Sequence, residues 1–202
     1  MTQPPDTVLR GPVTVPADWP TFLRDLDRIQ RRFAVEDYRS RDGLPSCGVP
    51  YMPYSLEEFT ALLTAALKYA TGRRFLSAGC GPGVDMRLAE ALFGGWLHVE
   101  GIDYLQRLVD EANRGRAVPA AFRADVRTWD YGEDDIVFYN RPVDGDEQDA
   151  AERHVCRSMR PGAVLIHVNG GLDPGRALGW TIVSAEEGGR GPVCGVWQKP
   201  AF

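Results

Sequence analysis

Phe75-Leu76-Ser77-Ala78-Gly79-Cys80-Gly81-Pro82-Gly83 reads as a buried strand that stops in a glycine-rich turn and gives way to a helix. Three glycines at alternate positions accept positive φ and carry no Cβ, so a nucleotide-like ligand can lie against bare backbone there. The same run also suits a strand-to-helix turn made for steric reasons alone. Asp103 stands twenty residues beyond Gly83, at the end of a second apolar run, Trp96-Leu97-His98-Val99-Glu100-Gly101-Ile102. A carboxylate at that point of a nucleotide-binding α/β sheet accepts hydrogen bonds from ribose hydroxyls. Asp103 also suits the N-cap of a helix opening at Tyr104, and the two roles are compatible.

Working outward, the proline-bearing stretch 1–17 is expected to be a flexible tail. Within 18–54, Phe22, Leu23, Leu26, Ile29 and Phe33 recur at helical spacing and predict a helix from Trp19 to Tyr38, followed by a lid loop rich in Gly and Pro. Ser55-Leu56-Glu57-Glu58 fits a capping box that opens a second helix ending near Gly72. Helices are expected over Val84–Phe93, Tyr104–Arg114 and Asp146–Met159. Strands are expected at Arg123-Ala124-Asp125-Val126, at Asp135–Tyr139 and at Ala163–Val168. Gly179–Ala185 and Pro192–Gln198 flank Glu186–Gly191 as a terminal hairpin. This alternation predicts an α/β fold: a doubly wound, mostly parallel seven-stranded sheet with a C-terminal antiparallel hairpin and an N-terminal helical extension. Leu172–Leu178 is too short for the usual helix between the last strands, so that side of the sheet is expected to be thin, and a homodimer contact there is possible.

The chain of 202 residues is 44% hydrophobic and 25% charged, with a formal net charge of -5. Those figures suit a globular protein and disfavour one that grips nucleic acid mainly through phosphates. Six arginines between Phe22 and Arg41 are interleaved with acids and read as a solvated helix face. No stretch is apolar enough to span a bilayer and the start lacks a signal-peptide core, so a cytoplasmic protein without membrane partners is expected. Cys47, Cys80, Cys156 and Cys194 are scattered, which suggests neither a zinc site nor a disulfide framework.

Taken in order, these segments resemble the class I S-adenosylmethionine-dependent methyltransferases over roughly residues 51–199. Leu76–Gly83 looks like their glycine-rich first motif, Val99–Asp103 their second, Ala124-Asp125-Val126 their third and Asp135–Pro142 their fourth. Arg160–Leu165 resembles the turn and strand that follow, and 55–202 then forms the methyltransferase-like domain. The spacing Gly79, Gly81, Gly83 lacks the further glycine of a dinucleotide dehydrogenase. The resemblance implies S-adenosylmethionine as cofactor, held by Ser77, Gly79, Cys80, Gly81, Gly83, Tyr54, Asp103, Tyr104, Asp125, Val126 and Asn140. One departure stands out. The family usually has a carboxylate at the position of Ser77, holding the cofactor's methionyl end, and a serine cannot neutralise an ammonium group.

Methyl transfer is an in-line displacement, which needs an aligned acceptor and often a base. Tyr139, Asn140 and His167, at the ends of the fourth and fifth strands, are the catalytic candidates. Strand alternation sends His167 and Asn169 to one face. Tyr51 and Tyr54 are placed to fold over the cofactor, and Trp129 to cover an adenine. The expected activity is methyl transfer to a small molecule or a protein side chain. Asn140-Arg141-Pro142-Val143 is partly similar to a motif of amino-group methyltransferases, which gives a nucleic-acid acceptor as one alternative. A non-catalytic binding module of the same fold is the other.

Overall fold

The computed structural model describes residues 16–39, 47–185 and 194–201. Most of the expected tail, part of the lid loop and the hairpin tip Glu186–Gly191 lie outside the described residues. Strands β1 (Arg74–Ala78), β2 (His98–Asp103), β3 (Ala121–Arg123), β4 (Ile136–Asn140), β5 (Val164–Val168), β6 (Thr181–Ala185) and β7 (Cys194–Gln198) form one sheet. Its order is β3-β2-β1-β4-β5-β7-β6. The first five strands pair in parallel, and β7 runs antiparallel between β5 and β6. The chain therefore has the doubly wound α/β architecture with a C-terminal antiparallel hairpin.

Central strands are buried on both faces, so successive residues feed two cores. Phe75, Ile136, Phe138, Val164, Ile166 and Val168 point to the side covered by helices α2 (Leu56–Leu67) and α3 (Val84–Phe93). Leu76, Ala78, Val137, Tyr139 and Leu165 point to the other, covered by α5 (Gln148–Ser158). Helix α2 starts where Ser55 accepts the Glu58 N–H at 3.1 Å. It buries Phe59, Leu62, Leu63, Ala66 and Leu67. Helix α1 (Trp19–Arg39) lays Leu26 and Phe33 inward.

Several boundaries differ from expectation: α2 stops at Leu67, short of Gly72, and α5 opens at Gln148. Helix α4 (Gln106–Ala112) begins after Leu105, because the Asp103 carboxylate turns back to the Leu105 N–H at 2.9 Å and does not cap a helix at Tyr104. Strand β3 ends at Arg123: β2, its only partner among the described residues, ends at Asp103 opposite it, so Asp125 stands in a turn in which its carbonyl accepts the Thr128 and Trp129 N–H groups. A short helix α6 (Pro174–Leu178) does form in the stretch judged too short for one. Five residues suffice because Asp173 accepts the Gly175 and Arg176 N–H groups, Pro174 presets the first turn and Gly179, at φ 71°, ends it.

Candidate functional site

Strand order reverses between β1 and β4, and a crevice opens beyond the carboxyl ends of strands at such a point. Here it is a cleft of about 760 Å³, partly open to solvent. Its floor is the turn after β1. Gly79 and Gly81 take φ of 80° and 54°, and the Asp103 carboxylate fixes the turn by accepting the Gly81 N–H at 2.9 Å. The space over these glycines is filled by the protein itself. A Cβ on Gly79 would sit 2.5 Å from the Pro142 side chain, and one on Gly81 would sit 2.4 Å from the Tyr51 ring. The glycines thus admit a proline and a tyrosine, and the open cleft runs beside them.

The roof is residues 47–54, seven of which line the cleft. Two anchors hold it. Gly48 bridges to Val143, with the Val49 N–H on the Pro142 carbonyl at 3.2 Å and the Asp144 N–H on the Cys47 carbonyl at 2.8 Å. Gln30 of α1, 2% exposed, donates to the Tyr54 carbonyl at 3.1 Å and accepts from the Tyr54 N–H at 3.0 Å and the Tyr51 hydroxyl at 3.2 Å. At the far rim, Arg127 clasps Asp125 with Nε and Nη2 and pairs with Glu147. That clasp, above all its hydrogen bonds, holds the Asp125 carboxyl below the usual carboxylate range.

Asp85, in the first turn of α3, lines the inner end of the cleft and is 2% exposed. Its Oδ1 accepts the Met86 N–H at 2.9 Å, and its Oδ2 receives the Ser77 hydroxyl. Burial pushes its carboxyl up to about 7, against the pull of the Ser77 hydroxyl and two backbone N–H groups. Tyr54 lies beside it, its ring edge-on to Phe138 at 5.5 Å.

Of the residues singled out from sequence, Tyr54, Gly79, Cys80, Asp103, Tyr104, Asp125, Val126 and Asn140 line the cleft together. Ser77, fully buried, stands behind Asp85, and Gly81 and Gly83 shape the turn. Tyr139 and His167 do not line it. They lie on the α5 face of the sheet, 1% and 2% exposed, with ring centroids 5.5 Å apart, and His167 packs edge-on against Trp197. His167 Nε2 is 3.6 Å from Oε1 of Glu152. Burial drives the Tyr139 phenol well above its ordinary value. Asn169 leaves the strand at φ 54°, so alternation does not extend to it, and its amide donates instead to Asn140 Oδ1 at 2.9 Å. Trp129 lines a shallower hollow with Asp125 and Thr128. Sequence reasoning missed Asp85, Arg127 and Gln30. An acid two residues after the last glycine was the available signal for Asp85, and it reads equally well as a complement to the α3 dipole.

No protein-family model and no curated protein matches the sequence. Solved structures do match. The N-methyltransferase NodS from Bradyrhizobium japonicum is similar with a TM-score of 0.50 and 16% identity over 71% of this chain and 95% of that one. DesVI of Streptomyces venezuelae gives 0.49 and 15% over 84% and 66%. CalS10 of Micromonospora echinaspora, an amino pentose methyltransferase solved with S-adenosylmethionine bound, gives 0.45 and 22% over 75% and 63%. The chain spans between half and about two thirds of the length of the first solved structures it matches. It has the fold of the class I S-adenosylmethionine-dependent methyltransferases. Among the described residues, no helix is long and apolar enough to cross a membrane.

Proposed function

We propose that this chain is an S-adenosylmethionine-dependent methyltransferase acting on a small molecule. One observation carries the reading: the switch-point cleft gathers Asp103, Asp125 and the Asp85–Ser77 pair around the glycine turn, under the roof of residues 47–54. The donor set suits the cofactor. Asp103 and Asp125 suit ribose and adenine polar groups, and the buried carboxylate suits a cation. S-adenosylmethionine brings an activated methyl group on its sulfonium. The protein's part is to orient the acceptor and exclude water, and the reading gives that part to the cleft-lining Tyr51, Tyr54, Asn140 and Arg141. Asn140 Oδ1 accepts from Asn169, so the donors that Asn140 can offer an acceptor are its amide N–H groups.

A nucleic-acid acceptor gains no support from the arginines of α1, since Arg28 pairs with Asp25 and Arg31 with Asp27 along the exposed face. Isothermal calorimetry with S-adenosylmethionine and S-adenosylhomocysteine tests the cofactor, and silence with both at millimolar concentration defeats the proposal. Labelled-methyl transfer to the small-molecule fraction of a lysate tests the acceptor class. Label found only in protein or nucleic acid refutes a small-molecule substrate.

A further inference from the structure

Three carboxylates face the cleft. The Gly81 and Leu105 N–H groups orient Asp103, and Arg127 pairs with Asp125, so both present lone pairs suited to hydroxyl and amino N–H donors. Asp85 sits apart from both, at the start of α3. It is buried on the cleft wall, its hydrogen bonds come only from neutral donors, and among the described residues no arginine, lysine or histidine pairs with it. A carboxylate withdrawn from water without a counter-charge is costly, so a ligand cation placed there gains what the protein leaves unsatisfied. Each carboxylate oxygen has accepted one bond and keeps a lone pair, which suits a donor with several N–H groups. An ammonium group meets that requirement, whereas a sulfonium has no hydrogen to donate.

We propose that Asp85, oriented by the Ser77 hydroxyl, is the counter-ion for the ammonium group at the methionyl end of the cofactor. This rests on the function proposed above. The pair moves the charge from the end of β1 to the first turn of α3: Ser77 has no charge of its own and serves as the positioning residue. It also makes the site acid-sensitive, because Asp85 must ionise to take up the ammonium. Other titratable groups facing it are Tyr54 and Cys80, both pushed up by burial and neutral near pH 7, and Asp103.

The test is calorimetry with two probes, S-adenosylhomocysteine and 5′-methylthioadenosine. Both are uncharged at sulfur, and only the first carries the amino-acid ammonium. Asp85→Asn is expected to weaken S-adenosylhomocysteine binding ~10- to 100-fold, the loss of one charged hydrogen-bonded contact, while methylthioadenosine affinity changes by less than about threefold. Titrations of the unaltered protein at pH 6 in buffers of different ionisation enthalpy are expected to show close to one proton released per S-adenosylhomocysteine bound. This second readout stands even if the variant does not fold. Equal affinities in the two proteins, or no proton release, overturns the role of Asp85 while leaving the cofactor reading intact. Failure of the unaltered protein to bind either probe defeats both.

Discussion

Asp85→Asn should make the ligand-free protein more stable, and by an amount that depends on pH. The substitution keeps the local geometry: the amide oxygen can accept the Met86 N–H, and the amide nitrogen can donate to the Ser77 hydroxyl, which turns to accept. What disappears is the charge. The carboxyl titrates near 3.8 when exposed and at about 7 in the fold, so between those values the native state holds a proton that the unfolded chain has lost. Stability therefore falls as pH rises through that window. From pH 5 to pH 8 the cost of this one group grows by roughly 2–3 kcal/mol, at about 1.4 kcal/mol per unit. For a protein of this size that corresponds to a Tm difference of roughly 5–10 °C. Thermal melts of both proteins at pH 5 and pH 8, without ligand, measure it. The gap between them should widen by that amount toward pH 8, and a gap of equal size at both values refutes the reasoning.

Gln30→Ala removes the side chain that holds Tyr54 and Tyr51, at a cost of about 1–3 kcal/mol, and should show as faster amide hydrogen exchange across residues 47–54 than in the rest of the sheet. Gly81→Ala adds about 1–2 kcal/mol of left-handed strain and drives a methyl group into the Tyr51 ring, so both a lower denaturant midpoint and weaker S-adenosylhomocysteine binding are expected. Glu152→Ala removes a buried acceptor beside His167 and should cost about 3–5 kcal/mol in urea unfolding. Burial alone would raise the Glu152 carboxyl, but the His167 ring, the Gly171 N–H and Gln148 outweigh it and hold the group at about 2. Its contribution is full above its unfolded value of 4.5 and is lost as pH falls through about 2, so the wild-type advantage should vanish in strong acid.

The elements that sequence located best are those whose signals are local. The run from Phe75 to Phe93 placed β1, the turn and α3 within a residue, because an apolar strand, glycines at alternate positions and helical periodicity each act over a few residues. The end of β3 was misjudged because it depends on where β2 stops, a fact about the neighbouring strand. That His167 does not line the cleft escaped the sequence for a related reason. Alternation gives the parity of a strand but not which face meets the cleft, and central strands apolar on both faces carry no mark to tell them apart. Ser77 alone reads as a missing charge. Its partner lies eight residues on, across a turn and on another element, and only the fold brings the two side chains together.

The buried pair of Glu152 and His167, although remote from the cleft, bears on its shape. Glu152 accepts the Gly171 N–H at 3.0 Å and the Leu172 N–H at 2.6 Å, which fixes the chain leaving β5. Just upstream, Asn169 turns at positive φ and donates to Asn140 on the cleft wall, while Arg141, also at positive φ, is tied to Asp144 at 2.5 Å. Two non-glycine residues in that region of φ/ψ space are strained, and such strain persists only where surrounding contacts over-determine it. Those contacts run from α5 through Glu152 to the ends of β4 and β5. His167, beside Glu152, therefore stands among the contacts that fix the chain leaving β5, and its removal should shift Asn169 and with it the Asn140 side chain on the cleft wall, read as faster amide exchange over residues 169–172.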